Sequence, residues 1–298
     1  MTNEGDSKMN VQMAYLIGMV LGNGEVQRTP KETTITIDIP YKNLKDDSGL
    51  EVSVYVKASL IDIRAIIEPL IGRKIVITEN RYSTKLSFTK HNEDYTMREL
   101  LRFIGSGVHH RTMTMSDELF DITIDEKKEL LRGIADVTGH IRKSNNAYGQ
   151  AGAHRVYIEV PGNWFMIISI ANLLKDLNIP VQTINFGHPN FRDGDLKKYN
   201  EGKVDFWKKE HQLKIYANEF LPIGFNITNK QRALERYAQE LLANLNPEKT
   251  KKFYWEKRRV NKIKPIHPGE NDPSLPNQIR GRHFNSWQDL AELLGYHE

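Results

Sequence analysis

The stretch Leu16–Glu25 reads LIGMVLGNGE, and the stretch Leu131–His140, which begins 115 positions later, reads LRGIADVTGH. Both fit the pattern L-x-G-x-x-x-x-x-G, and each is an apolar segment that ends at a glycine before a strand-like segment. A glycine inside a helix costs about 1 kcal/mol relative to alanine, and a close approach of two helix backbones is the usual reason for accepting that cost. The repeat therefore predicts two matching helices, one in each half of the chain, packed glycine to glycine.

These two stretches resemble the LAGLIDADG motif of homing endonucleases, in the single-chain form that carries two motifs. The resemblance covers about residues 11–245 and implies an α+β fold, in which two pseudo-symmetric αββαββα halves form a saddle of antiparallel sheets. The predicted organisation is a disordered lead at 1–10, a first half at 11–104, a linker at 105–124, a second half at 125–245 and a basic, proline-rich C-terminal extension with a short helix at 246–298.

Two departures from the motif concern cleavage. In the family, the acidic residue just before the last glycine holds the catalytic metal ions at the centre of the helix pair. Here Asn23 and Thr138 take those positions, and neither supplies the anionic oxygen that Mg²⁺ prefers. Glu25 is the nearest substitute acid, so the candidate metal ligands are Asn23, Glu25 and Thr138, and Mg²⁺ is expected only if cleavage is retained. Lys90 and Lys230 resemble the family's basic residues near the scissile phosphate and complete the candidate catalytic set.

Asp136 also lies within the second motif, two residues before Thr138. Two residues correspond to about 200° around a helix, so its side chain faces away from the predicted site. We expect Asp136 to have a packing or capping role.

The composition is that of a globular protein, with 39% hydrophobic and 27% charged residues and no cysteine. The lack of cysteine excludes disulfides and thiolate metal sites and favours a reducing cytoplasm. The longest apolar run, Ala14–Leu21, is far shorter than the roughly 20 residues of a membrane span, so no membrane association is expected. A net charge of +4 permits nucleic-acid binding without indicating it.

Alternating apolar and polar residues predict strands in both halves. Thr34–Pro40 and Glu51–Lys57 alternate cleanly and predict a hairpin, while Arg155–Val160 alternates in the second half, with further strands at Val181–Phe186 and Gln212–Tyr216. In the fold that the resemblance implies, the polar face of such strands lies in the DNA major groove, where base edges present distinct donors and acceptors.

A basic stretch near the C-terminus, Lys249–Lys264, holds eight Lys or Arg and one acid, with aromatic residues between them. Together with the resemblance, this pattern favours contact with a phosphate backbone. The candidate DNA-binding residues are the outward side chains of the predicted strands and three cations of this stretch: Thr34, Thr36, Ser53, Tyr55, Lys57, Arg155, Tyr157, Gln182, Lys214, Lys257, Arg258 and Arg259.

The helices are predicted from periodicity and caps. The expected helices are Asn10–Leu21 with Asn10 as N-cap, Ser59–Ile71 with Ser59 as N-cap, Asp94–Ile104, Asp125–Val137 and Asn163–Leu177. A hairpin is expected at Lys74–Thr78 and Lys85–Thr89, and a long polar insert at 187–210.

The leading hypothesis is a monomeric, sequence-selective double-stranded DNA-binding protein in which cleavage is lost or weakened. A second hypothesis is an active Mg²⁺-dependent, site-specific DNA endonuclease in which Glu25 replaces the missing ligand. A third is an RNA-binding helper of intron splicing, which does not need the catalytic acids. A fourth is a protein–protein module without nucleic-acid binding, whose affinity would be insensitive to salt.

Overall fold

The computed structural model describes five ranges and three short strands of the chain: residues 9–41, 52–142, 154–181, 183–186 and 210–243, with strands at 264–265, 278–279 and 282–283. Most of the predicted lead, the insert and the C-terminal extension lie outside the described residues, as do Gln182, Lys257, Arg258 and Arg259. The chain divides into two compact units, unit 1 with residues 1–137 and 225–228 and unit 2 with residues 138–224 and 229–298. The domain bounds predicted from the sequence stay predictions.

Unit 1 alternates helices with pairs of antiparallel strands. Its elements are α1 (Val11–Asn23), β1 (Gly24–Arg28), β2 (Glu32–Pro40), α2 (Val52–Ile71), β3 (Val76–Glu79), β4 (Ser83–His91), α3 (Tyr95–Phe103), a 3-10 turn (Asp117–Phe120) and α4 (Ile124–Thr138), whose last residue belongs to unit 2. The strands form one antiparallel sheet in the order β1-β2-β4-β3. From α1 to α3 the order is αββαββα, which confirms the fold predicted for the first half.

Unit 2 repeats this arrangement after α4. Its elements are β5 (Gly139–Arg142), β6 (Arg155–Pro161), α5 (Trp164–Asp176), β7 (Thr183–Phe186), β8 (Glu210–Tyr216), a short α6 (Ala217–Phe220), α7 (Thr228–Ala243), β9 (Lys264–Pro265), β10 (Gln278–Ile279) and β11 (Arg282–His283). One sheet has the order β5-β6-β8-β7-β9, with β9 parallel to β7, and β10 pairs with β11. No helix among the described residues is long and apolar enough to cross a membrane.

Helices α1, α3 and α5 begin at side-chain caps, of which the cap at Asn10 was predicted from the sequence. The side-chain oxygens of Asn10, Asp94 and Asn163 each accept a hydrogen bond from the backbone N–H three residues later, at 2.7, 3.2 and 3.1 Å. Such a bond satisfies one of the N–H groups that has no partner inside the first helical turn. The starts of α1, α3 and α5 are therefore fixed locally.

Helices α1 and α4 touch through their backbones. Gly18 lies against the carbonyl group of Leu130, and Gly133 lies against the carbonyl group of Tyr15. A Cβ added at either glycine would lie far inside van der Waals contact with that oxygen. This reciprocal contact confirms the close approach of the two helix backbones that was predicted from the repeat, although each glycine faces a carbonyl group and not the other glycine.

The strand predicted at Glu51–Lys57 is wrong, because helix α2 already begins at Val52. The alternation of valines imitates a strand, but the buried positions then recur every three or four residues, as in a helix. These buried positions are Val56, Leu60, Ile63, Ile67 and Ile71. Strand β2 pairs with β1 and β4 instead. Ser53, Tyr55 and Lys57 are therefore helical residues, and the reason for placing them on a groove-facing strand is lost.

Ser59 lies inside α2 and is not its N-cap. Its buried hydroxyl donates a hydrogen bond to the carbonyl oxygen of Tyr55 at 2.8 Å, one helical turn earlier. The same oxygen accepts the backbone N–H of Thr228 at 2.8 Å. Ser59 thus satisfies the first backbone N–H of helix α7.

Asp136 of α4 is fully buried, and its carboxylate accepts hydrogen bonds from side-chain and backbone donors. Its carboxylate accepts the hydroxyl of Tyr15 at 2.8 Å and the backbone N–H groups of Asn226 and Ile227 at 3.1 and 3.2 Å. Burial, together with the charge of Asp136, raises the pKa of Tyr15 well above its ordinary value, so its hydroxyl stays a donor. Asp136 therefore caps the backbone ahead of α7, the kind of role expected from its position in the motif.

The segment 108–110, in the predicted linker, pairs with β1. His110 donates its backbone N–H to the carbonyl of Gly24 at 2.8 Å, and His109 forms an antiparallel bridge with Glu25. Burial lowers the pKa of His110 to about 4, so its ring is neutral at pH 7. This segment adds a short antiparallel pairing at the β1 edge of the unit 1 sheet.

Candidate nucleic-acid interface

One face of the unit 2 sheet carries cationic and aromatic side chains in cross-strand rows. Directly opposed residues of antiparallel strands share a face. The register of β5, β6 and β8 places His140, Tyr157 and Lys214 in one row and Arg142, Arg155 and Tyr216 in the next. We call these six residues the cation–aromatic face. Residues of the opposite face are buried in the core: Val156, Ile158, Val160, Leu213 and Ile215. His140 and Tyr216 of the cation–aromatic face are buried as well.

Tyr157 lies at the centre of the cation–aromatic face. The His140 ring stacks on it at a centroid separation of 5.2 Å with an interplanar angle of 12°. The Arg142 Cζ lies 5.3 Å and the Lys214 Nζ 5.7 Å from the centroid of the Tyr157 ring. Cations at this range are attracted to the electron-rich face of an aromatic ring. The contacts with both flanking strands hold the ring in place and orient two positive charges.

Arg142 and Arg155 are directly opposed in register, yet their side chains take different partners. Like charges in opposed positions destabilise a sheet. The Arg155 Cζ lies 5.6 Å from the Tyr216 ring centroid, while Arg142 lies near Tyr157. Burial raises the pKa of Tyr216, so its phenol stays neutral beside the guanidinium. The guanidinium groups of Arg142 and Arg155 are therefore placed against different rings of this face.

A buried carboxylate adjoins this face. Glu159 Oε1 accepts a hydrogen bond from Gln212 Nε2 at 2.5 Å, in the row next to that of Tyr157. The same oxygen lies 3.5 Å from His140 Nε2 and 3.7 Å from Arg142 Nη2. The Glu159 side chain is 7% exposed, against 58% for Arg142, so a buried anion supports a largely exposed cation.

The polar face of the unit 1 sheet is built from hydroxyl groups. Thr34 Oγ1 and Thr89 Oγ1 are 2.8 Å apart, and Thr36 Oγ1 and Ser87 Oγ are 3.2 Å apart, each pair joining β2 to β4. All four side chains are half-buried. We call these four residues the hydroxyl face, which offers short donors and acceptors of hydrogen bonds.

The charges around the hydroxyl face are mostly negative. By register, Glu25, Glu32 and Asp38 lie on the same side of the sheet as Thr34 and Thr36, together with Lys85. Glu25, Glu32 and Lys85 are exposed. Because phosphates repel carboxylates, this side of unit 1 is a weaker attractor of nucleic acid than the cation–aromatic face.

The two positions that the motif resemblance assigns to metal-binding acids, Asn23 and Thr138, hold neutral side chains. Asn23 is the last residue of α1, and its Nδ2 donates to the carbonyl oxygen of Asp38 at 2.8 Å. Thr138 is the last residue of α4 and is buried. Glu25 is exposed at the start of β1, where its Oε1 accepts a hydrogen bond from Gln27 Nε2 at 3.2 Å.

This donor set does not fit a divalent metal ion. Asn23, Glu25 and Thr138 provide one carboxylate among them, and the Asn23 amide already donates to a backbone carbonyl. Mg²⁺ needs hard, mainly anionic oxygen ligands in near-octahedral geometry. The part of the chain that the structure describes contains no group of three or more His, Cys, Asp or Glu that could hold a metal ion.

The two lysines of the candidate catalytic set are both engaged or buried. Lys90 pairs with Thr33 in register, on the side of the sheet opposite the hydroxyl face, and its Nζ lies 2.6 Å from Asp94 Oδ2. Lys230 is buried in α7. Neither presents an open cation on a polar sheet face.

The structure brings together three of the predicted contact residues and adds others that the sequence reading missed. Arg155, Tyr157 and Lys214 lie on one face, with Thr34 and Thr36 on the polar side of the other sheet. The missed residues on or beside this face are His140, Arg142, Tyr216, Glu159 and Gln212. For His140 and Arg142, the alternation of apolar and polar residues in Gly139–Arg142 could have predicted a strand.

Lys57, now placed in α2, forms an ion pair with Glu79 at 3.0 Å. Tyr55 is half-buried in the same helix, and the backbone of Ser53 belongs to its first turn. Their contact with DNA stays a prediction without the strand that motivated it.

Neither a protein-family model nor a curated protein sequence matches this chain. Solved structures do. Mesophilic variants of the homing endonuclease I-DmoI match at 13% identity over 74% of this chain and 96% of that chain, with a TM-score of 0.42. Full-length DUF199/WhiA from Thermatoga maritima matches at 12% identity over 87% of this chain and 71% of that chain, also with a TM-score of 0.42.

The homing endonuclease I-WcaI, bound to its DNA recognition sequence, matches at 13% identity over 82% of this chain and 86% of that chain, with a TM-score of 0.38. Homing endonucleases are the proteins whose LAGLIDADG motif the two sequence repeats resemble, and the LAGLIDADG domain of DUF199/WhiA is a further match. At TM-scores below 0.5 these similarities carry no information on activity.

Proposed function

We propose that this protein binds double-stranded DNA sequence-selectively, with the cation–aromatic face of unit 2 as its main contact surface, and that DNA cleavage is lost or strongly weakened. The observation that carries the proposal is the clustering of Arg142, Arg155 and Lys214 around Tyr157 and Tyr216 on one face of an antiparallel sheet.

Each component of this face suits duplex DNA. The major groove admits a two-stranded β-ribbon, and Arg or Lys hydrogen-bonded to guanine O6 and N7 is the commonest specific contact there. The same cations neutralise phosphates, which supplies most of the affinity. The hydroxyl face adds uncharged donors and acceptors of hydrogen bonds. Such groups can contact base edges but do not attract the charged phosphates.

Weak or absent cleavage is inferred from the small number of negatively charged groups among the candidate metal ligands. Phosphodiester hydrolysis assisted by metal requires an ion that activates water and stabilises the developing charge. Asn23 and Thr138 contribute no negative charge, and Glu25 is an exposed side chain whose carboxylate is bonded to Gln27. These residues do not supply the set of carboxylate groups that usually binds such an ion.

Binding and cutting are tested together on a randomised library of duplex DNA, at two salt concentrations, with Mg²⁺ and then with Ca²⁺. We expect enrichment of a defined sequence, affinity that falls steeply with salt, and intact DNA under both metals. The matched variant is Lys214→Met, which removes one cation from the cation–aromatic face, with Lys85→Met on the unit 1 sheet as its control.

Three results would contradict parts of the proposal. Cleavage at a fixed sequence in Mg²⁺ would overturn the loss of activity, and Glu25→Gln would then test the alternative acid. Equal losses from Lys214→Met and Lys85→Met would remove the assignment to unit 2. No enrichment of any duplex would overturn DNA binding, and the same assay on a structured RNA library would then test RNA binding.

A further inference from the structure

We propose that Glu159 is a positioning residue of the cation–aromatic face: its buried carboxylate holds Arg142 against Tyr157, so that a negative charge strengthens the recognition of DNA. This inference rests on the proposed function. It predicts an effect opposite in sign to that expected from the charge of Glu159 alone.

Two arginines on neighbouring strands conflict in this sheet. Arg142 and Arg155 are directly opposed on β5 and β6, a like-charge pair that repels. The guanidinium group of Arg155 lies near the ring of Tyr216. The guanidinium group of Arg142 lies instead near the carboxylate of Glu159. The direction in which Arg142 points therefore depends on what attracts it there.

The carboxylate of Glu159 lies close to Arg142 and His140. Glu159 Oε1 is 3.7 Å from Arg142 Nη2, whose Cζ lies 5.3 Å from the Tyr157 ring centroid. The same oxygen is 3.5 Å from His140 Nε2, and the His140 ring stacks on Tyr157. One oxygen thus adjoins both of the groups that contact Tyr157 from β5.

The carboxylate of Glu159 is itself held in place by a neighbouring strand. Gln212 Nε2 donates to Glu159 Oε1 at 2.5 Å from the neighbouring strand, and both residues are buried. Because it is buried, Glu159 is screened less by solvent than an exposed acid, so its pull on Arg142 is stronger. Its low exposure also keeps it from meeting a phosphate directly.

Glu159→Gln keeps the shape of the side chain and removes the charge, so Arg142 loses its anchor and samples other rotamers. Binding of the enriched duplex should become about tenfold weaker, the scale of one charge-assisted contact. Binding of an unrelated duplex should hardly change, because the number of cations on the face is the same. The ratio of specific to non-specific affinity is therefore the main readout.

The control is Glu32→Gln, which neutralises an exposed carboxylate on the polar side of the unit 1 sheet. There the loss of a negative charge should leave affinity unchanged or raise it slightly. Thermal unfolding of Glu159→Gln, compared with wild type, identifies any loss due to misfolding.

A double-mutant cycle separates positioning from a general structural effect. In an Arg142→Met background, Glu159→Gln should have little further effect on specific affinity, because the residue through which it acts is gone. A structural role would give the same loss in both backgrounds and would overturn the inference, as would tighter specific binding by Glu159→Gln. If wild type itself selects no duplex, the proposed function fails first, so the two failures are distinguishable.

Discussion

The two sheets share an αββαββα scaffold but differ in the chemistry of their polar faces. Unit 1 presents paired hydroxyls with Glu25, Glu32 and Asp38 on the same side, whereas unit 2 presents two arginines and a lysine around tyrosines. The scaffold dictates which residues are outward and leaves their identity free. Under the proposed DNA binding, we therefore expect unit 2 to attract the phosphates and the hydroxyls of unit 1 to make uncharged contacts.

The two motif helices differ in a similar way. Both use a glycine to approach the partner backbone, Gly18 in α1 and Gly133 in α4. Where the first repeat has buried Leu21, the second has buried Asp136. The apolar residue needs no partners, while the aspartate requires the donors it has, Tyr15 among them. A repeat that is symmetric in sequence spacing is thus asymmetric in polar contacts.

The largest effect is expected from making the second helix like the first, by Asp136→Leu. This change leaves the Tyr15 hydroxyl and the N–H groups of Asn226 and Ile227 without their acceptor. At about 1–3 kcal/mol for each of these three unsatisfied groups, the free energy of unfolding should fall by roughly 3–9 kcal/mol. Chemical denaturation at pH 7 measures it.

The control for this change is Asp125→Ala, at an exposed acid in the first turn of the same helix. It should cost less than about 1 kcal/mol. A loss from Asp136→Leu no larger than that of the control would mean that the asymmetry between the helices is not important for stability.

The next largest effect concerns the charges of unit 2. The double variant Arg155→Met, Lys214→Met should weaken binding of the enriched duplex about a hundredfold at low salt, and should reduce the slope of log affinity against log salt by about two. Fluorescence anisotropy over a salt series gives both values. An unchanged salt slope would place the phosphate contacts elsewhere in the chain.

How far the sequence predicted these features depends on how local their causes are. The cap at Asn10 and the glycine contact of Gly18 were predictable, because a cap depends on three neighbouring residues and the glycine on a repeated pattern. The start of helix α2 was mispredicted, because alternating valines fit a strand as well as a helix. The buried positions that recur every three or four residues further along the segment indicate the helix. The grouping of Arg142 with Tyr157 and Glu159 could not be predicted, because it depends on the register between strands.

A smaller effect is expected from the aromatic centre of unit 2. Tyr157→Leu keeps an apolar side chain on the strand but removes the ring that His140, Arg142 and Lys214 contact. Losing two cation–π contacts of about 0.5–1 kcal/mol each should weaken specific binding about tenfold. Tyr157→Phe keeps the ring and serves as the control in the same anisotropy assay. Equal losses from both variants would assign the effect to the hydroxyl group.

The smallest effect is expected on the hydroxyl face, from Thr36→Val. Valine has nearly the shape of threonine and suits a strand, so the sheet should keep its structure, while the contact with Ser87 Oγ is lost. With no charge removed, the salt slope should stay constant, and affinity for the enriched duplex should fall by a factor of about three, within the range of one neutral hydrogen bond. Selection from the randomised library gives the sharper readout, because preference should relax at a few base positions. A change in the salt slope, or a loss equal to that of Tyr157→Leu, would mean that unit 1 contributes attraction as well, and the division between the two faces would have to be abandoned.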